Sequence, residues 1–248
     1  MAAGAARLSA GPGVSQVPTD LAALIDHTLL KPGASRADIH KLCQEATEFG
    51  FAAVVVNPYW VATAAAAVRG TPVKVCTVVG FPLGATLPQV KIQETEEVVK
   101  LGAHEVDMVM NVGALKSGDH EVVEQDIRGV VGVCRRGGAL SKVILECALL
   151  TDPEVVRASQ LAQAAGADFV KTSTGFGPGG ATAKHVELMR LAVGPTMGVK
   201  AAGGIRSYED VQKMVSAGAT RIGASASVKI LQEAAGAPVE AAAPVVAL

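Results

Sequence analysis

Gly166-Ala-Asp-Phe-Val-Lys-Thr-Ser-Thr-Gly-Phe-Gly177 is the stretch on which the reading of this 248-residue chain turns. A glycine follows a helical stretch, a small residue comes next, and Phe169–Thr172 is a short apolar run that carries one lysine and opens into a glycine-rich turn. Glycine adopts cheaply the left-handed conformation that stops a helix, so the segment reads helix, stop, strand, loop. The same phrase returns in Gly102-Ala-His-Glu-Val and Gly218-Ala-Thr-Arg-Ile. Such recurrence marks one supersecondary unit used many times.

Working outward, eight apolar runs rich in β-branched residues read as strands: Ala23–Leu30, Ala52–Asn57, Val73–Val79, Glu105–Met110, Lys142–Cys147, Phe169–Thr172, Met197–Ala201 and Arg221–Ala224. Between them, Arg36–Phe49, Leu87–Leu101, His120–Arg136, Pro153–Ala165, Thr182–Val193 and Ser207–Ala217 have helical period. Asp152-Pro153 reads as a cap with proline at the first helical position, and Ser207-Tyr-Glu-Asp puts acids in a first turn. Strands alternating with helices make a parallel sheet with crossover helices. Eight units predict an α/β fold with one closed TIM (β/α)8 barrel rather than an open doubly wound sheet. A Rossmann sheet would want Gly-x-Gly-x-x-Gly after its first strand, where Thr28-Leu-Leu-Lys-Pro-Gly33 stands. The barrel is expected over residues 18–235, between a flexible tail at 1–17 and a C-terminal tail at 236–248.

Composition narrows the function. Half the residues are hydrophobic and the net charge is −1, which excludes intrinsic disorder. With 22 basic against 23 acidic residues there is no global field to hold a nucleic-acid backbone or an anionic membrane, so a small substrate is expected. The uncharged segment 50–68 is split by Asn57-Pro58 into a strand and an alanine-rich helix, not a membrane span. Residues 1–17 lack a continuous apolar core and do not read as a signal peptide, which implies the cytoplasm. Cys43, Cys76, Cys134 and Cys147 lie far apart and read as reduced, packed thiols. No Gly-x-Ser-x-Gly elbow is present and the carboxylates are scattered, so neither a serine triad nor a metal centre or other cofactor is expected.

In such a barrel the chemistry sits at the carboxyl ends of the strands. Asp107 lies inside the apolar run Glu105-Val-Asp-Met-Val-Met, where a carboxylate must be paired or functional. Lys171 and Lys200 end consecutive strands, and Asp26 and Thr28 share one face of the first. His27 faces away from that pair, and His104 and His120 fall at element edges. Neighbouring strands ~4.8 Å apart can bring two lysine nitrogens within ~6 Å, a repulsion of ~3 kcal/mol, or about two pKa units. Desolvation lowers the value further. Two readings stand: strand-end ammonium groups in water or in ordinary ion pairs with Asp107 and Asp26, and a neutral amine poised to attack a carbonyl.

Three turns on the same rim are glycine-rich: Ser173–Gly180, Ala202-Gly-Gly204, and Gly223-Ala-Ser-Ala-Ser227 leading into a short helix. Backbone amides and a helix N-terminus there suit an anion, and barrels often hold phosphate after strands seven and eight. With the lysines, this suggests a phosphorylated carbonyl substrate whose phosphate lies near Gly204 and Ser225, with Arg206 the one cation nearby.

Asp26-His-Thr-Leu-Leu, Val56-Asn-Pro-Tyr-Trp, Gly80-Phe-Pro-Leu-Gly, Glu105-Val-Asp-Met-Val-Met-Asn-Val-Gly, Phe169-Val-Lys-Thr-Ser-Thr-Gly-Phe, Val199-Lys-Ala-Ala-Gly-Gly-Ile-Arg and Arg221-Ile-Gly-Ala-Ser follow one another in this order. From about residue 20 to 232 they closely resemble the deoxyribose-phosphate aldolases. The resemblance implies a metal-independent class I aldolase that cleaves 2-deoxy-D-ribose 5-phosphate to glyceraldehyde 3-phosphate and acetaldehyde. It implies Lys171 as the Schiff-base lysine, Lys200 as the companion that keeps it neutral and moves protons, and Asp107 as general acid and base. Asp26 and Thr28 match substrate-side polar groups, and Thr172, Gly175, Gly203, Gly204, Gly223 and Ser225 complete the implied substrate site. The chain departs from many members at Val55, where cysteine is common, and from some at Phe176, where lysine stands. Ala226 also replaces a more usual serine or glycine. A different sugar-phosphate barrel, or a non-catalytic barrel that senses a phosphorylated metabolite, are the rival readings, and a homo-oligomer is left open.

Overall fold

The computed structural model describes residues 20–236, so the expected N-terminal tail and residues 237–248 lie outside the described part. Eight parallel strands close on themselves: β1 Ile25–Leu29, β2 Ala53–Val56, β3 Lys74–Val79, β4 Glu105–Val109, β5 Leu140–Ile144, β6 Phe169–Lys171, β7 Gly198–Ala202 and β8 Arg221–Ala224. Each pairs with the next, and β8 returns to β1 with Asp26 beside Gly223. Nine α-helices occur among the described residues: α1 Arg36–Phe49, α2 Val61–Ala67, α3 Pro88–Lys100, α4 Val112–Lys116, α5 His120–Arg136, α6 Asp152–Ala164, α7 Ala183–Val193, α8 Tyr208–Ser216 and α9 Ser227–Ala234. None is long and apolar enough to cross a membrane.

Local chemistry explains most boundaries. Ser35 and Ser207 cap α1 and α8 in capping boxes with Asp38 and Asp210. At α6 the cap is Thr151, boxed with Glu154, so Asp152 is the first helical residue and Pro153 the second, one place later than the sequence suggests. There Thr151 takes the cap because its side chain reaches the N3 amide while Glu154 reaches back to the cap amide. Gly50, Gly102, Gly166 and Gly218 all have positive φ after a helix, as the repeated phrase requires.

Two strands differ from expectation by more than one residue at an end. Ala22–Leu24 forms a 3-10 turn before β1. The fifth strand starts at Leu140 and stops at Ile144, because Glu146 turns into the left-handed region and Cys147–Leu149 winds into a 3-10 turn.

The outward faces of the strands pack on the helices. The α5 stripe Val123, Ile127, Val130, Val131 and Cys134, for example, is buried against the sheet. The lumen is divided differently. On the β1–β3 side it holds Leu30, Ala53, Val55, Cys76 and Val78, with Phe81 packed on them. On the β4–β8 side, joined by Asp26 of β1, it holds charge.

Candidate active site

Side chains alternate along a strand, so Glu105 and Asp107 of β4 point into the lumen together, as do Lys142, Phe169 and Lys171, Lys200, and Arg221 from the strands that follow. Register does the rest: Asp107 pairs with Lys142, and Lys171 with Lys200. Near the N-terminal ends of the strands the ring of Phe169 carries Lys142 on one contact and Arg221 on another, 5.9 and 5.6 Å from its centroid. Gly198 makes room for that ring, since any Cβ there would collide with it.

Above this floor, Asp107 is wholly buried and makes four polar contacts. Its Oδ2 accepts from Lys171 and from Lys200, each at 2.8 Å. Its Oδ1 accepts from Lys142 at 2.9 Å and from the Cys76 thiol at 3.2 Å. Lys142 is bound in turn by Glu105, and Arg221 reaches Asp26 at 2.7 Å and Glu105 at 3.3 Å. Lys200 also pairs with Asp26 at 2.5 Å. The two lysine nitrogens share one oxygen atom, within the ~6 Å separation that adjacent strands allow.

Three lumen carboxylates therefore face four bases. In a site this dry, three cations balance three anions and the fourth base is most cheaply neutral. Lys171 is the least compensated of the four, because its one carboxylate oxygen is shared with Lys200 and no second anion pairs with it. Burial lowers its pKa first; Asp107 raises it and Lys200 lowers it again, with a net depression. Burial is thus the larger cause, and lysine repulsion, the leading cause in the sequence reading, is a lesser one. Burial also works against charge on Lys200, but Asp107 and Asp26 outweigh it and hold that ammonium above the ordinary lysine value. Burial alone would raise the Asp107 carboxyl, yet Lys142, Lys171 and Lys200 carry it well below the usual range. Asp26 goes the same way through Lys200, Arg221 and Lys142.

Asp26, Cys76 and Glu105 bring ligand atoms within 4.8 Å of one another, which resembles a metal nest. The cation among them belongs to the protein: Lys142 lies 3.4 Å from the Cys76 sulfur and 3.9 Å from Asp26 and bonds Glu105. That donor set does not fit an added metal ion, because its charge is already matched.

The other expected residues separate into two groups. The Thr28 hydroxyl donates to the Asp26 carbonyl at 2.9 Å and is half-buried. Thr172 is fully buried, and its hydroxyl donates to the Ala202 carbonyl and accepts from the Ala202 amide, so that side chain ties β6 to β7. Gly223 is buried, and a Cβ there would meet the Ala202 Cβ at 2.9 Å and the Lys200 side chain at 3.1 Å, so the bare glycine leaves room for both. Gly175, Gly204 and Ser225 are exposed on the rim and Gly203 is half-buried beside them, with positive φ at all three glycines. Ser225 lies two residues ahead of α9. His27 points outward, as parity predicts, to Ser227 (3.0 Å) and Glu45 (2.7 Å). The rings of Phe81 and Phe176 meet edge to face, 5.3 Å apart.

Sequence reasoning passed over Lys142, Glu105 and Arg221, which open the runs read as strands, where charge usually faces water. Parity was the available signal: Glu105 shares a face with Asp107, and Arg221 with Gly223.

Comparison with known proteins supplies the family. Residues 21–237 match the model of the DeoC/LacD family of aldolases. A deoxyribose-phosphate aldolase of Streptococcus pneumoniae serotype 19F is 63% identical over 208 residues, 84% of this chain and 94% of that protein. One from a Geobacillus species is 59% identical over 213 residues, 86% and 95% of the two chains. The tetrameric deoxyribose phosphate aldolase of Aeropyrum pernix superposes with a TM-score of 0.81 at 38% identity, covering 86% of this chain and 90% of that one. With two lysines on one lumen carboxylate oxygen, and matched along almost all of its barrel, the chain belongs to the DeoC/LacD family of aldolases.

Proposed function

We infer that the protein reversibly cleaves 2-deoxy-D-ribose 5-phosphate to D-glyceraldehyde 3-phosphate and acetaldehyde through a lysine Schiff base, a lyase reaction of deoxyribose phosphate breakdown. The observation that carries this reading is Asp107 Oδ2 held by two lysines at once, because it leaves one of them a free amine. The neutral Lys171 amine adds to the aldehyde carbon, its surplus proton passes to the Asp107–Lys200 pair, and loss of water leaves an iminium. Removal of the C3 hydroxyl proton then breaks the C2–C3 bond, whose electrons flow into the iminium. Glyceraldehyde 3-phosphate departs and the enamine of acetaldehyde stays on Lys171. Protonation of the enamine carbon and hydrolysis release acetaldehyde and restore the amine. Asp107 and Lys200 together serve as donor and acceptor, the carboxylate by its shared oxygen.

The substrate's phosphate is assigned to the rim amides of Gly203 and Gly204 and to Ser225 before α9, with Gly175 opposite. Asp26 and Thr28 face the sugar from β1. Borohydride reduction in the presence of acetaldehyde, read by mass spectrometry, should add one ethyl group at Lys171. An adduct that persists in Lys171→Ala would refute the assignment, and product analysis without acetaldehyde would refute the reaction. The four cysteines are free and buried, which suits a reducing, cytoplasmic setting. The tetrameric A. pernix relative supports assembly of this chain too, which light scattering at working concentration would decide.

A further inference from the structure

The ladder between β5 and β6 becomes irregular directly beside Lys171. Leu145 N donates to the Lys171 carbonyl and Cys147 N to the Thr172 carbonyl, each at 2.9 Å. Two residues advance on one side while a single residue advances on the other, so Glu146 is the extra residue of a bulge, a device that re-aims a side chain. Its backbone lies at φ 55° and ψ 59°, and it is the one non-glycine residue with positive φ among the described residues. Strain of this kind persists only where the surroundings over-determine it.

What surrounds Glu146 is the loop that follows the lysine. The carboxylate is 5% exposed, and its Oε2 accepts from the Thr174 amide at 3.3 Å and from the Thr174 hydroxyl. That hydroxyl accepts from the Phe176 amide at 3.0 Å, so the order imposed at Glu146 passes one residue beyond the next glycine. A Cβ on Gly177 would lie 2.8–3.0 Å from the carboxylate atoms, which shows how closely the turn is drawn down. The other fastenings are at the loop's ends: Thr172 to the Ala202 backbone, and Ala181 N to the Gly203 carbonyl at 2.9 Å. Among the described residues, Glu146 is the one charged side chain bonded to the loop's middle.

We propose that Glu146 is a positioning residue for substrate recognition: the bulge at the end of β5 presses its carboxylate under Thr174–Gly177 and so fixes the rim that receives the phosphorylated end of the sugar. This rests on the phosphate corner inferred above. An anionic side chain does not itself attract a dianion, so its influence passes through the backbone it holds, and it acts on binding rather than on the carbon–carbon step.

The test compares 2-deoxyribose 5-phosphate with 2-deoxyribose for the wild-type chain, Glu146→Gln, Thr174→Val and the double variant. Each single variant should raise KM for the phosphorylated sugar about tenfold, with kcat and the rate on the dephosphorylated sugar within about twofold. The double variant should be no worse than the weaker single, since both break one contact. Glu146→Gly removes the carboxylate and the backbone strain together, and should match Glu146→Gln in KM without a lower Tm. An unchanged KM in Glu146→Gln, equal losses on both sugars, or losses that follow Tm across the variants would overturn the proposal. The phosphate corner is judged separately on the wild type: no preference for the phosphorylated sugar there removes that reading, and this one with it.

Discussion

Four lysines among the described residues are buried and bonded to an aspartate, and two of them, Lys91 and Lys171, differ in how that aspartate is held. Lys91 of α3 donates to Asp126 of α5 at 2.5 Å and to the Val109 carbonyl at 2.9 Å, outside the barrel wall. Lys171 donates to Asp107, inside it, at 2.8 Å. Burial does not separate them. What separates them is ownership of the counter-charge: among the described residues Asp126 pairs with no other base, whereas Asp107 also serves Lys200 and Lys142. A lysine with a carboxylate of its own, or with a second one in reserve as Lys142 and Lys200 have, is held as a cation, whereas Lys171 has only the shared Asp107.

The largest test of that contrast is deletion of each lysine. Lys171→Met should cut kcat by at least ~10³-fold and abolish reductive trapping, because no other amine in the lumen is spared its charge. Lys91→Met should leave trapping and kcat intact. If Lys91→Met lost trapping, the distinction would be wrong.

A smaller effect is expected from releasing the competition. In Lys200→Leu, Asp107 Oδ2 belongs to Lys171 alone and a neighbouring cation is gone, so the Lys171 pKa rises. The amine must be neutral to attack, and activity is lost as pH falls through its pKa. The acid limb of the profile should therefore move to higher pH, with activity lost near neutrality. Recovery at alkaline pH should be partial, since proton transfer also suffers. A limb that stays in place would show that Lys200 has no electrostatic hold on Lys171.

Next in size is stability. Lys91→Met strands the Asp126 carboxylate, and breaking a buried pair costs about 3–5 kcal/mol, measurable by urea unfolding with activity followed in parallel. The double change Lys91→Met with Asp126→Leu should recover most of it. The smallest effect belongs to Cys76→Ala. Burial pushes that thiol's pKa far up, and its contact with Asp107 is a weak one, so a loss of about 1 kcal/mol or less and activity within about twofold are expected.

The contrast also shows which parts of the molecule could be read from residues alone. The barrel was legible because glycine stops and β-branched runs recur with one phrase length. Asp107, Lys171 and Lys200 were legible because charge inside an apolar run is costly to bury unless it has a partner or a purpose. Lys142 and Arg221 were not, because Ser141 and Thr220 before them make each look like a polar strand edge, and their enclosure depends on barrel closure and on Gly198 admitting the Phe169 ring. Glu146 was least legible. Its left-handed backbone is set by the slip in the β5–β6 ladder, which local propensity does not encode.

The floor built from Phe169, Lys142 and Arg221 makes the lumen a blind well. Traffic in such a well is single file: whatever lies nearer the mouth must leave before the fragment below it can be exchanged. On the site proposed above, with acetaldehyde's two carbons tethered at Lys171 and the phosphorylated fragment at the rim, the order of product release would follow from the shape of the barrel, and in the synthetic direction the order of loading would be its reverse.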